Sequence, residues 1–317
     1  MNISALFSQM LVLFGILLIG FFTAKRGVLN ADMNKHLSTL VCMLTNPLQV
    51  LASVLSGAHP IENLRVLRMT GVAAAMFAAL VLISFLLPRA LRIKNPLDAG
   101  IYRYLLVFSN IGFMGYPVVE ALLGAEYRFY TTIFVMVFQL ICWSYGVALI
   151  SGQKMQLTWS VLRRPTIVTA LLAFVLYFAD IQPLYDAFPA GMTIVYRIVD
   201  GIGGLTSPIA MLIIGASLAQ MPLRAVFDKW RIYVLAVFKL IALPVLTWLA
   251  LRGVMRDAKL FGVLIVMLSM PSATNATIMS YQFGGDEKLA SAGVFVTTLL
   301  SVATIPLVMY TLFSVFA

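Results

Sequence analysis

The chain has 317 residues, of which 62% are hydrophobic and only 11% charged, and its mean hydropathy is +0.98; these values exclude a soluble globular domain and indicate a polytopic helical membrane protein. The formal net charge of +10 would suggest nucleic acid in a soluble protein, but no basic tail or aromatic-basic patch accompanies it. It reads as loop charge on one side of a bilayer, which excludes a nucleic-acid partner. Cys42 and Cys142 lie inside apolar runs without CxxC spacing, so they are read as small core residues rather than a disulfide or metal site. His36 and His59 flank spans singly and carry no ligand pattern.

Ten spans are predicted. The first, Ser4 to Ala24, has no basic residue before it and exceeds the apolar length of a signal peptide, so it is expected to stay in the mature chain. Lys35 to Leu55, Val66 to Pro88, Ile101 to Leu123 and Phe129 to Ile150 complete the first half. After the linker SGQKMQLTWSVLRRP come Thr166 to Phe178, Gly203 to Met221, Ile232 to Ala250, Lys259 to Phe283 and Leu289 to Phe316. Ile194 to Thr206, with Gly201, Gly203 and Gly204, is a candidate extension of the seventh span. Loops after odd spans hold 14 Lys and Arg and loops after even spans hold 7, so the odd loops are expected in the cytoplasm and both termini outside it.

The ninth span carries Pro271 at its middle. Its ~25 residues would reach ~37 Å as a straight helix, against a hydrocarbon core of ~30 Å. Proline lacks the N–H that would bond the carbonyl of Met267, so the helix should kink or stop there. Ser269, Ser272, Thr274, Asn275 and Thr277 surround the break. A freed backbone group is tolerated at that depth only where protein or a watery cavity satisfies it, which is the local chemistry of a carrier's binding site.

An odd count of spans per half inverts the second half, and traces of such a repeat are present. Leu44-Thr45-Asn46-Pro47 recurs as Leu205-Thr206-Ser207-Pro208, 161 residues on, and Gly124-Ala125-Glu126-Tyr127-Arg128 as Gly284-Gly285-Asp286-Glu287-Lys288, 160 on. The repeat predicts a break in the fourth span, where Ser109, Asn110, Gly112, Gly115 and Pro117 stand in SNIGFMGYP. Two inverted broken helices crossing near the midplane would present positive half-helix ends to an anion and free carbonyls to a cation.

These motifs, SNIGFMGYP, the LTNP of the second span and PSATNA in the ninth, resemble the auxin efflux carrier family of permeases, which includes bacterial malonate-type carriers. The resemblance implies an all-α fold of ten transmembrane helices in two inverted five-helix repeats, residues 1–150 and 166–317 joined by a cytoplasmic linker at 151–165. Helices 4 and 9 would break and cross, as in the similar bile-acid symporter fold. Spans 1, 2, 6 and 7 would form a scaffold, through which a homodimer could form, and spans 3–5 and 8–10 a transport domain that moves as an elevator. Small organic anions are the implied substrates. Pro117 and Pro271 correspond to the crossover prolines, and Asn110 and Asn275 to the polar crossover residues. The ninth span has no Asp or Glu, which disfavours sodium and leaves a proton as coupling ion.

Charges at membrane depth are expensive and functional by default. Lys239 lies eight residues past Arg231, ~12 Å into its helix, where it could counter an anionic substrate or the carbonyl ends of the half-helices. Glu120, a turn past Pro117, could carry a coupling proton or reach the outer interface. Asp200 reads as a helix-start residue. No HExxH, GxSxG, P-loop or Rossmann fingerprint is present, so no enzyme and no cofactor is indicated. The expectation is a plasma-membrane carrier for a small organic anion, with Ser109, Asn110, Ser269 and Asn275 forming the site and Thr45 and Asn46 facing it. A sodium-coupled symporter, a receptor and a channel are the other readings.

Overall fold

The computed structural model describes residues 3–55, 63–124, 127–153, 163–179, 181–220 and 229–315. His59, Ala125, Glu126, Met221 and Phe316, named above, lie outside them. The described residues are helical: α1 (Ile3–Lys25), α2 (Ala31–Leu55), α3 (Asn63–Ser84), α4 (Leu87–Ala90), α5 (Pro96–Val107), α6 (Ile111–Leu123), α7 (Arg128–Ser151), α8 (Pro165–Phe178), α9 (Gln182–Ala187), α10 (Pro189–Gly204), α11 (Thr206–Ala219), α12 (Trp230–Leu251), α13 (Ala258–Ser269), α14 (Asn275–Phe283) and α15 (Glu287–Phe313). Seven helical stretches are long and apolar enough to cross a membrane, counting α10 and α11 as one; α6, α8 and α13 are shorter apolar helices. Large apolar side chains face outward, among them Phe7, Ile19, Leu82, Ile194 and Leu246, as a lipid-facing surface requires.

Three helices widen into a π-turn just before a proline: Val41–Thr45 before Pro47, Ile111–Gly115 before Pro117, and Phe238–Ala242 before Pro244. A proline cannot donate to the carbonyl four residues back, and its ring pushes that carbonyl aside, so the helix goes on in a wider register rather than ending. The expected crossover proline Pro117 follows the second of these π-turns. It lies in the first turn after the π-turn of α6, well past the break at Phe108–Asn110. Gly112 and Gly115 belong to the same π-turn. Pro271, by contrast, does sit in the extended segment between α13 and α14.

Asp200 also departs from expectation. Helix α10 begins at Pro189, so Asp200 lies inside a helix rather than at its start. The seventh predicted span is thus longer than its apolar core, by the stretch with the three glycines.

Close backbone approaches fix the packing. A methyl group added at Gly20 would lie 2.4 Å from the Leu212 carbonyl oxygen, and one at Gly215 would lie 1.9 Å from that of Leu17, so α1 and α11 touch along their backbones. Gly203 lets α10 rest on α2, where an added methyl would stand 2.7 Å from Gln49 Cα. Helix α2 packs on α8, α10 and α11 as well. Elsewhere α3 packs on α5 and α7, and α15 on α5, α12 and α14. Rings of Phe77, Tyr104, Phe108 and Phe138 form one cluster at the first break.

Candidate functional site

The chain leaves helix at Phe108–Asn110 and again at Met270–Thr274, and the two extended segments meet. Ser109 and Ser272 form an antiparallel bridge: Asn110 N–H donates to the Pro271 carbonyl at 2.7 Å, and Ala273 N–H to that of Phe108 at 2.9 Å. Backbone groups that would be orphaned in an apolar interior therefore satisfy one another. Side chains complete the junction. Ser272 Oγ donates to the Leu105 carbonyl at 2.7 Å, and Ser272 N–H donates to Thr297 Oγ1 at 3.1 Å.

Lys239 is fully buried beside this junction. Its Nζ donates to the Leu106 carbonyl at 2.7 Å and to Ser109 Oγ at 3.0 Å. The ammonium thus meets the negative C-terminal end of α5, the second of the two placements expected for it. Ser109 is drawn into the same contact.

The amides divide into made and unmade bonds. Asn110 is buried with Nδ2 unpartnered, and Asn275 is buried with Oδ1 unpartnered. Thr45 Oγ1 and Thr274 Oγ1 are buried without partners too. Asn46 accepts from Gln139 Nε2 at 3.1 Å, and Gln139 Oε1 accepts from Trp143 Nε1 at 3.1 Å. A methyl group added at Gly112 would come 3.4 Å from Asn46 Nδ2, which brings α6 against α2 here. Ser269 contributes no free hydroxyl, because its Oγ bonds the Ile265 carbonyl of its own helix at 2.8 Å. Buried amides and hydroxyls with spare capacity, held among half-helix ends, can recognise a small polar or anionic solute.

Sequence reasoning missed Gln139, Cys142, Trp143 and Tyr104, whose hydroxyl lies 3.1 Å from Cys142 Sγ. The only signal was an amide, Gln139, in the apolar run of the fifth span. Beside α14, a narrow cleft lies between α11 and α15, lined by Ser217, Thr274, Thr277 and Ser291; its free volume of about 10 Å³ has room for about one water.

Glu120 is placed away from this junction. Its Oε1 lies 3.4 Å from Arg128 Nε, and Arg128 Nη2 donates to Asp200 Oδ1 at 2.8 Å.

Comparison with known proteins places this architecture. The family described as "Membrane transport protein" matches residues 5–160 and 154–309. A protein of Rhizobium meliloti (strain 1021) named "Putative malonate transporter" is 26% identical over 311 residues, covering 94% of this chain and 92% of the relative. Uncharacterized transporters of Methanocaldococcus jannaschii and Methanothermobacter thermautotrophicus are 23% and 27% identical, each covering more than nine-tenths of both chains. The chain belongs to the membrane transport protein family, the auxin efflux carrier family that its motifs resemble.

Proposed function

We propose that the protein is a secondary carrier moving a small organic anion, a carboxylate, across the plasma membrane. The observation that carries this reading is the Ser109–Ser272 bridge, ringed by the buried and unpartnered groups of Asn110, Asn275, Thr274 and Thr45. Counting α5 with α6, α10 with α11 and α13 with α14 gives ten spans, an even number that sets both termini on one side, and the loop charges favour the side outside the cytoplasm. The inverted repeat is supported by Gly124 and Gly284, which end α6 and α14 with φ of 119° and 82° and donate to the carbonyls of Glu120 and Ser280. The two matched stretches also divide at the linker.

In this reading α1, α2, α8, α10 and α11 are the scaffold, and α3, α5–α7 and α12–α15 carry the site past it. Asn110 and Asn275 bind the substrate, and Thr45 and Asn46 face it from the scaffold. Lys239 holds α5 in place rather than the solute. A proton, rather than sodium, is the coupling ion. The narrow cleft beside Thr274 means that α11 must part from α14 and α15 to admit a carboxylate.

The test is thermal stabilisation of the purified protein by malonate and a panel of mono- and dicarboxylates, in wild type and Asn275→Ala. A ligand at a hundred times its Kd stabilises by ~2.7 kcal/mol. A carboxylate that stabilises wild type but not Asn275→Ala supports carrier and site together. Malonate flux at wild-type rate in Asn275→Ala removes α14 from the site.

A further inference from the structure

Resting on that reading, we propose that Arg164 is the anion-capturing residue at the mouth of the site, held ready by Trp143 and Phe283. Among the described residues, a carboxylate bound by Asn46, Asn110, Gln139 and Asn275 would meet neutral groups, because the buried ammonium of Lys239 already bonds Leu106 and Ser109. A cation must come from elsewhere.

Arg164 supplies it. The residue caps the start of α8 in extended conformation, half-buried, and its guanidinium carbon lies 4.1 Å from the centre of the Trp143 ring and 5.8 Å from that of Phe283. Both rings lead inward. Trp143 hands its N–H to Gln139 and thence to Asn46, while Phe283 ends the half-helix that Asn275 begins. Among the described residues no carboxylate pairs with this guanidinium and no hydrogen bond engages its N–H groups.

A guanidinium held over the face of an indole can keep its planar fork of N–H donors free for a carboxylate, which it receives through two parallel bonds. The aromatic shelf holds the fork in place before the anion arrives, so little side-chain freedom is lost on binding. From Phe283 to Asn275 is eight residues, ~12 Å along α14, so the guanidinium acts at the first encounter and the amides at the final site. A neutral solute of the same shape would gain nothing from it.

The experiment is radiolabelled malonate uptake into phosphatidylcholine vesicles by wild type, Arg164→Gln, Arg164→Lys and Asn275→Ala, at low and high salt. Arg164→Gln is expected to raise KM about tenfold with maximal rate within about twofold, as loss of one charge-assisted contact implies. Arg164→Lys keeps the charge without the fork and should fall between. Wild-type KM should rise with ionic strength and that of Arg164→Gln should stay flat, a readout that loss of mere packing would not produce. An unchanged KM in both Arg164 variants, or a wild-type KM indifferent to salt, overturns the assignment; if Asn275→Ala is then inactive, the carrier reading stands without it. Wild type that moves no carboxylate overturns both.

Discussion

Arg128 Nη2 lies 2.8 Å from Asp200 Oδ1, and this pair ties the start of α7 to α10, which the proposed carrier assigns to different helix groups. Glu120 shares the guanidinium at 3.4 Å. A partly exposed pair of this kind contributes about 0.2–1 kcal/mol, enough to shift a two-state balance by at most about fivefold. If the groups slide during transport, the tie must break. Asp200→Asn is therefore predicted to raise the initial rate of malonate uptake by up to about fivefold, with a small drop in Tm. An unchanged rate with a lowered Tm would make the pair a structural clasp only.

Lys239→Met should cost stability. It keeps the length of the side chain but leaves the Leu106 carbonyl and Ser109 Oγ without their donor in a buried position. The unmet groups cost about 1–3 kcal/mol, offset in part by relief from burying an ammonium. Thermal unfolding of the purified variant reads this directly, and the drop should exceed that of Lys35→Met on α2, a residue at the solvated end of its helix.

Gly215→Val tests the scaffold seam. The added side chain would collide with the Leu17 carbonyl and the Phe21 backbone nitrogen, neither of which can rotate away. About 3 kcal/mol of destabilisation is expected, the upper part of the range for overpacking. Gly15→Val on α1, whose added methyl meets nothing within 4 Å, is the control and should be nearly silent. Equal losses of folded yield in the two variants would contradict close α1–α11 contact.

Asn110→Ala should leave folding intact and remove transport. Its backbone, not its side chain, makes the bond to Pro271, and Nδ2 has no partner to lose. Tm within a few degrees of wild type together with abolished malonate uptake is the expected pair of results. Wild-type uptake would exclude this amide from substrate contact.

Much of the architecture was legible because apolar length and misplaced polar residues are local signals. Ser109-Asn110 and Pro271-Ser272 marked both breaks. What went astray was set by distant partners. Pro117 has every local mark of a breaker, yet the break forms where Ser109 finds Ser272, and a π-turn absorbs the proline. The stretch with the three glycines was legible as an extension of the seventh span, but not that Gly203 is there because α2 leaves no room for a side chain. Asp200 looked like a cap until Arg128, 72 residues earlier in the chain, claimed it. Gln139 stood out by polarity alone, and only the fold pairs it with Asn46.

The frame where the two broken segments meet is written in main-chain atoms. Asn110 and Ala273 lend it their amide hydrogens, and Phe108 and Pro271 their carbonyl oxygens, none of which mutation readily alters. Evolution can then exchange the amides and hydroxyls around that frame without dismantling it. A lineage of such proteins can keep one mechanical joint while changing its cargo, even where only about a quarter of the residues survive between distant members.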